Sequence, residues 1–180
     1  MKINKTSLED LLIIEPQLLK DERGFFYESY NKNNLDKVID VVFVQDNESK
    51  SNKGVIRGLH FQLPPFEQTK LVRCVSGEIL DVAVDLRINS KTYGNHFSIN
   101  LSSKNKKQLF IPRGFAHGFQ VLSETATVNY KVDSFYNSKY DSGIIWDDKD
   151  LLIKWDNNIE PILSEKDLNL ETFKELKSPF

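Results

Sequence analysis

Short runs of alternating apolar and polar residues dominate this sequence, and they restrict its fold more than any other feature. The runs are rich in Val, Ile, Phe, Tyr and Thr, and polar or glycine-bearing turns separate them. They read FFYESY, VVFVQD, GVIRGLHFQ, KLVRCVSGEILDVAVDLR, HFSINLS, QLFIPRGFAHGFQVLS and ATVNYKV. Many short strands on one chain pack as facing sheets, so the pattern predicts an all-β sandwich or jelly roll.

Helical periodicity is sparse by comparison. It predicts a short helical turn near NKNNLDKVI and a C-terminal helix near SEKDLNLETFKELK. The 180 residues suffice for one well-filled core and are few for two. Because neither a linker nor an internal repeat divides the sequence, we expect a single domain spanning residues 1–180.

The longest alternating run also predicts a hairpin. Its two halves meet at Ser76-Gly77, which suits a two-residue turn. With that turn, Lys70 faces Ala83, and Asp81 lies on its diagonal within reach of a long side chain. Such a pair would keep the lysine protonated despite burial.

Composition and charge exclude several classes of protein. With 39% hydrophobic and 28% charged residues, the chain resembles an ordinary globular protein, and its net charge of −2 argues against a nucleic-acid binder. No apolar run approaches the ~20 residues of a membrane span, and the charged start MKINKTSLED is not a signal peptide. The single cysteine, Cys74, excludes an internal disulfide and suits a reducing compartment, so we expect a cytoplasmic protein.

The stretch RGLHFQ places Arg57 and His60 close together in an apolar strand. Arginine is scarce here, and its planar fork suits phosphate or carboxylate in a way that an ammonium cannot. Strict alternation would put these two side chains on opposite faces. The family resemblance described below implies that both residues reach one substrate, so we predict a bulge at Gly58 that turns Arg57 to the His60 side. Alternatively, Arg57 lies at the rim of the barrel, and its side chain curls around to reach the same site.

The stretch IPRGFAHGF contains Pro-x-Gly-x-x-His, which resembles the second motif of the cupin superfamily, a jelly-roll fold. In the first cupin motif a glycine precedes His-x-His and a glutamate. Here Gln62 stands where the second metal-binding histidine would be. His60, Glu67 and His117 could still supply three metal ligands, so a metal site remains an alternative.

Ten stretches together resemble, in order, the motifs of the dTDP-4-dehydrorhamnose 3,5-epimerase family. They are DERGFF, FVQDN, GVIRGLHFQ, KLVR, GEILDVAVDLR, IPRGFAHGF, VLSETA, YKVDSFY, GIIWDD and PILSEKD. The resemblance runs from Asp21 to Asp167. It implies a cupin-type β jelly roll (double-stranded β-helix) that needs neither metal nor cofactor. It also implies a homodimer in which an N-terminal strand crosses to the partner.

The resemblance assigns a catalytic set for proton transfer next to a ketone. His60 corresponds to the base, and an imidazole, with an unperturbed pKa of ~6.5, suits proton abstraction near neutral pH. Tyr130 corresponds to the proton donor on the opposite face, and Lys70 to the residue that stabilises the enolate. Asp167 corresponds to the carboxylate that orients the histidine.

The resemblance also assigns contacts to a dTDP-4-keto-6-deoxy sugar. Those to the sugar or diphosphate are Arg23, Glu28, Arg57, His117 and Lys166. Gln45 and Asn47 correspond to residues that read the thymine edge, and Tyr136 to the aromatic residue that stacks on the base. Phe25 lies on the N-terminal strand that the family uses across its dimer interface.

One predicted contact departs from the family pattern. Asp141 stands where the family commonly has glutamate, so its contact with substrate would need a bridging water. Three other activities remain open: epimerisation at only C3 or only C5, or of another nucleotide 4-keto sugar; a metal-dependent cupin enzyme; and a non-catalytic sugar-binding cupin.

Overall fold

The computed structural model describes residues 1–37 and 39–180. Its strands and two short helices follow one another along the chain as β1 (Lys2–Lys5), β2 (Leu12–Glu15), β3 (Leu19–Asp21), β4 (Gly24–Phe26), α1 (Lys32–Leu35), β5 (Gln45–Asn52), β6 (Ile56–Gln62), β7 (Lys70–Ser76), β8 (Glu78–Asp85), β9 (His96–Ser102), β10 (Gln108–Ile111), β11 (Phe115–Val121), β12 (Thr125–Val132), β13 (Asp141–Gly143) and α2 (Glu165–Leu168). The predicted all-β class is confirmed.

Two antiparallel sheets form the body of the fold. The first has six strands in the order β1-β2-β10-β7-β12-β5, and the second has five in the order β13-β6-β11-β8-β9. Among the described residues, strands β3 and β4 pair only with each other and form a separate hairpin. This arrangement confirms the cupin-type jelly roll.

The apolar alternation of the strands explains where the core lies. Val72 of the first sheet and Ala83 and Phe119 of the second belong to one buried cluster between the sheets. Val82 and its neighbours on the opposite face of β8 pack with the C-terminal segment, which contributes Trp155. Because successive strand residues point to opposite faces, each central strand contributes to two cores.

The predicted hairpin at Ser76-Gly77 is wrong. Strand β7 pairs with β10 and β12, whereas β8 pairs with β11 and β9, so Gly77 joins strands of different sheets. Gly77 has a φ of +78°, and a Cβ there would lie 2.1 Å from the Thr125 carbonyl oxygen. A chain that passes from one sheet to the other at a tight corner needs a glycine between two alternating runs, as a hairpin turn does. The local sequence therefore does not distinguish the two.

The C-terminal helix is shorter than its pattern suggests, whereas the N-terminal helical turn is found as predicted. The predicted C-terminal helix is a single turn, α2, whose N-cap Ser164 accepts a hydrogen bond from the backbone N–H of Asp167. The predicted turn near residues 31–39 contains α1, although Val38 in that stretch lies outside the described residues. Within the described part of the chain, no helix is long and apolar enough to cross a membrane.

Candidate active site

A bulge in β6 turns Arg57 and His60 to the same side of the second sheet. On β11, His117 pairs with His60 and Phe119 with Arg57, so three steps along β6 match two along β11. The predicted irregularity at Gly58 is therefore confirmed. Gly58 has a φ of +123°, and a Cβ there would lie 2.5 Å from the Cα of Gly118. Only glycine allows the strands to approach so closely.

His60 and Asp167 form a hydrogen-bonded pair. The Nε2 atom of His60 lies 2.6 Å from Oδ1 of Asp167, which α2 brings from the far end of the sequence. The backbone N–H of Gly58 approaches the other carboxylate oxygen at 3.5 Å. Burial opposes ionisation of Asp167, but the hydrogen bond and charge of His60 outweigh it and hold the pKa of Asp167 below its usual range.

Two adjoining cavities meet at His60. The outer cavity has a volume of about 310 Å³ and the inner one about 140 Å³. Both are lined by His60, Lys70 and Tyr130. Arg57 lines the inner cavity and donates a hydrogen bond to Ser51 Oγ at 3.0 Å. Two larger grooves, of about 440 and 1180 Å³, contain none of the four predicted catalytic residues.

Lys70 and Tyr130 point into the space between the sheets. Lys70 is 8% exposed, and its Nζ lies 3.4 Å from the carbonyl oxygen of His60. Burial lowers the pKa of Lys70 to about 8, while the charges of Asp141 and Asp81 act to raise it. Burial raises the pKa of the Tyr130 hydroxyl, and the positive charge of Arg57 opposes this shift. A protonated tyrosine and a readily titrated lysine thus line the same cavity.

A second histidine–carboxylate pair lies deeper than the first. His117 Nε2 is 2.7 Å from Asp81 Oδ1, and both residues are buried. The Oδ2 atom of Asp81 is buried without a hydrogen-bond partner among the described residues. The predicted diagonal of Lys70 and Asp81 on one hairpin face is wrong, because they lie in opposite sheets. Their charges nevertheless interact across the interior.

The predicted nucleotide contacts line the outer cavity. The Tyr136 hydroxyl donates to Asp141 Oδ2 at 2.8 Å, and the Tyr136 backbone N–H donates to Gln45 Oε1 on β5 at 3.1 Å. Gln45 Nε2 in turn donates to Asn47 Oδ1 at 2.8 Å. Lys166 Nζ lies 2.5 Å from Asp141 Oδ2. Gln45, Asn47, Tyr136, Asp141 and Lys166 therefore line one cavity.

Three predicted contacts lie elsewhere. Arg23, Phe25 and Glu28 line neither cavity of the single chain. Arg23 has 89% of its side chain exposed and pairs with Asp21, while the ring of Phe25 lies under Lys106. Glu28 accepts hydrogen bonds from Asn31 and Asn34. Their role as substrate contacts stays a prediction.

The alternative metal set is not assembled. Glu67 lies 3.5 Å from Arg113, whereas His60 and His117 each bind a different aspartate. Over residues 1–37 and 39–180, no group of three or more His, Cys, Asp and Glu side chains is placed to hold a metal ion.

Sequence reasoning missed supporting residues that contact the predicted ones. Ser51 holds Arg57, Ser164 caps the helix of Asp167, and Gln62 and Gln68 line the outer cavity. The cupin comparison marks Gln62 as unusual, and Ser164 is a typical N-cap residue three positions before Asp167. Ser51 carries no signal in the sequence, because its role depends on the contact with Arg57 on the next strand.

Comparison with known proteins gives one consistent result. The family model described as dTDP-4-dehydrorhamnose 3,5-epimerase matches residues 5–175. A dTDP-4-dehydrorhamnose 3,5-epimerase of Shigella flexneri is 52% identical over 175 residues, covering 96% of each chain.

Solved structures agree with the sequence match. A dTDP-4-dehydrorhamnose 3,5-epimerase from Elizabethkingia anophelis NUHP1 is 50% identical with a TM-score of 0.93, covering 99% of this chain and 98% of its own. A dTDP-6-deoxy-D-glucose-3,5-epimerase from Legionella pneumophila Philadelphia 1, in complex with dTDP-4-keto-L-rhamnose, is 43% identical. Its TM-score is 0.94, and the match covers 97% of this chain and 94% of that one. The chain belongs to the dTDP-4-dehydrorhamnose 3,5-epimerase family.

Proposed function

We propose that this protein is an isomerase that epimerises C3 and C5 of dTDP-4-dehydro-6-deoxy-D-glucose and yields dTDP-4-dehydro-L-rhamnose. The observation that carries the proposal is the convergence of His60, Lys70 and Tyr130 on one cavity, with Asp167 bound to His60. Membership of the epimerase family supports the same conclusion.

The chemistry follows from the C4 ketone, which acidifies the protons at C3 and C5. His60 removes one of these protons as general base, and Asp167 orients the ring and stabilises its charged form. The electron pair moves onto O4, where the Lys70 ammonium stabilises the enolate. Tyr130 then donates a proton to the opposite face of the carbon, which inverts it, and solvent restores the two protonation states.

In this proposal the base occupies the outer cavity, and the diphosphate and sugar extend towards the inner cavity, which Arg57 and His117 line. Arg57 binds the diphosphate, because a guanidinium forms charge-assisted bonds with phosphate oxygens. Gln45 and Asn47 read the thymine edge, and Tyr136 stacks on the base. Lys166 and His117 contact the diphosphate or sugar.

Asp141 acts in this proposal without touching the sugar directly. Its Oδ2 atom already accepts from both Tyr136 and Lys166. Because one carboxylate oxygen is already held in this way, a bridging water is the contact that we propose between Asp141 and the substrate.

The working enzyme in this proposal is a cytoplasmic homodimer of a single domain, residues 1–180. The β3–β4 hairpin supports an exchanged strand, since its neighbouring residues Phe25 and Phe26 are 55% and 66% exposed. Large exposed aromatic side chains on a separate hairpin suit a protein interface. The hairpin would carry Arg23, Phe25 and Glu28 into the partner's site.

Proton NMR in heavy water tests the activity. Incubation with dTDP-4-keto-6-deoxyglucose should replace the protons at both C3 and C5 with deuterium and produce the L-rhamno configuration. Exchange at one carbon only would indicate a mono-epimerase. An absence of exchange with tight ligand binding would indicate a non-catalytic sugar-binding protein.

A further inference from the structure

The loop between β12 and β13, residues 133–140, carries Tyr136 and is held by one buried side chain. Gln62 of β6 donates hydrogen bonds from Nε2 to the Phe135 carbonyl at 3.3 Å and to the Phe66 carbonyl at 2.7 Å. Its Oε1 accepts from the backbone N–H of Asn137 at 2.7 Å. The two bonds to the loop are therefore made to the residues immediately before and after Tyr136.

Gln62 is built to hold this loop in one conformation. The side chain is only 3% exposed, and both of its N–H donors and its oxygen are engaged. Its backbone also pairs with Asp141, the residue that accepts from the Tyr136 hydroxyl. One residue of β6 thus contacts the loop at Phe135 and Asn137 and the strand that follows it.

We propose that Gln62 is a positioning residue for nucleotide recognition, which holds the loop so that Tyr136 is presented to the base before binding. The inference rests on the proposed function, in which Tyr136 stacks on thymine. A loop that is already ordered loses little conformational freedom when the ligand binds, and this increases affinity. Gln62 also stands at the position of a metal-binding histidine in the cupin pattern. Here its polar atoms serve the loop.

The chain offers a matched control in Gln120. This residue is 1% exposed, its Nε2 donates to the Asp156 carbonyl at 3.2 Å, and its Oε1 accepts from the Asp156 N–H at 2.7 Å. Gln120 therefore holds a loop in the same way as Gln62 does, but it lines neither site cavity. A general loss of buried hydrogen bonds should affect both positions alike.

The test compares Gln62→Met with Gln120→Met, since methionine has a similar length and fills irregular space without the amide. Hydrogen–deuterium exchange of residues 133–140 is measured without ligand, and dTDP affinity is measured by calorimetry. For Gln62→Met we expect faster exchange in this loop and about tenfold weaker dTDP binding, the equivalent of one net hydrogen bond. KM should rise by a similar factor, while kcat should change less than about threefold.

Gln120→Met should leave both the loop exchange and the dTDP affinity at wild-type values. Wild-type exchange of residues 133–140 in Gln62→Met, or a loss of dTDP affinity no greater than that of Gln120→Met, would overturn the inference. If Gln62→Met does not fold, Gln62→Leu takes its place with the same criteria. A wild-type protein that does not bind dTDP would overturn the proposed function itself, and the inference with it.

Discussion

The two histidine–aspartate pairs of the site have nearly the same hydrogen-bond length but different surroundings. The His60 side chain is 31% exposed and borders the outer cavity, whereas that of His117 is 8% exposed and borders only the inner one. Asp167 comes from α2, while Asp81 lies on β8, the strand next to His117. A histidine that cycles protons needs access to substrate and solvent. We therefore propose that the His60–Asp167 pair transfers the proton and that the buried His117–Asp81 pair does not.

The largest difference in kcat between the two pairs should appear when the aspartate of each pair is replaced by asparagine. Asp167→Asn keeps the shape of the side chain but can hold the wrong tautomer of His60. We expect kcat to fall by about 10⁴-fold, as the equivalent change does in Ser-His-Asp enzymes. Steady-state kinetics with calorimetry of dTDP binding measures this. A loss below tenfold would remove Asp167 from the catalytic set.

A change at Tyr130 should separate the two halves of the reaction. Tyr130→Phe removes the donor on the second face, so net epimerisation should fall by about 10²–10⁴-fold. Deuterium should still enter the substrate, because His60 can remove and return a proton on its own face. NMR of the recovered substrate distinguishes the two processes. Equal losses of deuterium entry and turnover would contradict this division of roles.

The buried His117–Asp81 pair should affect the pH dependence of kcat. Enolate stabilisation needs the Lys70 ammonium, so activity should fall as the pH rises through about 8, the pKa of Lys70. Asp81 raises that pKa, so Asp81→Asn should move the alkaline loss to lower pH. The pH dependence of kcat measures the shift. Glu78→Gln on the same strand is the control and should leave the profile unchanged. If the pH profile of Asp81→Asn matches that of the wild type, the charge of Asp81 does not control the protonation of Lys70.

The smallest effect is expected from chelation. Keto–enol chemistry can proceed with Lys70 holding the enolate, so prolonged EDTA treatment should leave kcat unchanged. Elemental analysis of the treated protein accompanies the assay. Loss of activity with recovery on addition of a divalent ion would favour a metal-dependent mechanism instead.

Local pattern predicted the parts of the molecule that depend on local geometry. The strands themselves followed from alternation. The bulge at Gly58 followed from alternation together with the family resemblance, which implies that Arg57 and His60 reach one substrate.

The incorrect or open predictions concern partners that no local pattern specifies. The sequence around Gly77 suits a hairpin and a sheet corner equally well, because alternation does not identify the neighbouring strand. Ser51 and Gln62 act through contacts with Arg57 and Asn137 that depend on the assembled sheets. Arg23 is identified by its place in the family motif, but it lines neither cavity of the single chain, so its role stays a prediction.

Deuterium entry into the substrate tests the central claim, which is that the His60–Asp167 pair transfers the proton and the His117–Asp81 pair does not. His60→Ala and His117→Ala are compared with wild type at saturating dTDP-4-keto-6-deoxyglucose in heavy water, and C3 and C5 are followed by NMR. We expect His60→Ala to lose exchange at both carbons by about 10²–10⁴-fold while it still binds dTDP. His117→Ala should exchange at least about tenfold faster than His60→Ala, since its base is intact. Exchange at the wild-type rate in His60→Ala, or equal losses in the two variants, would contradict the account.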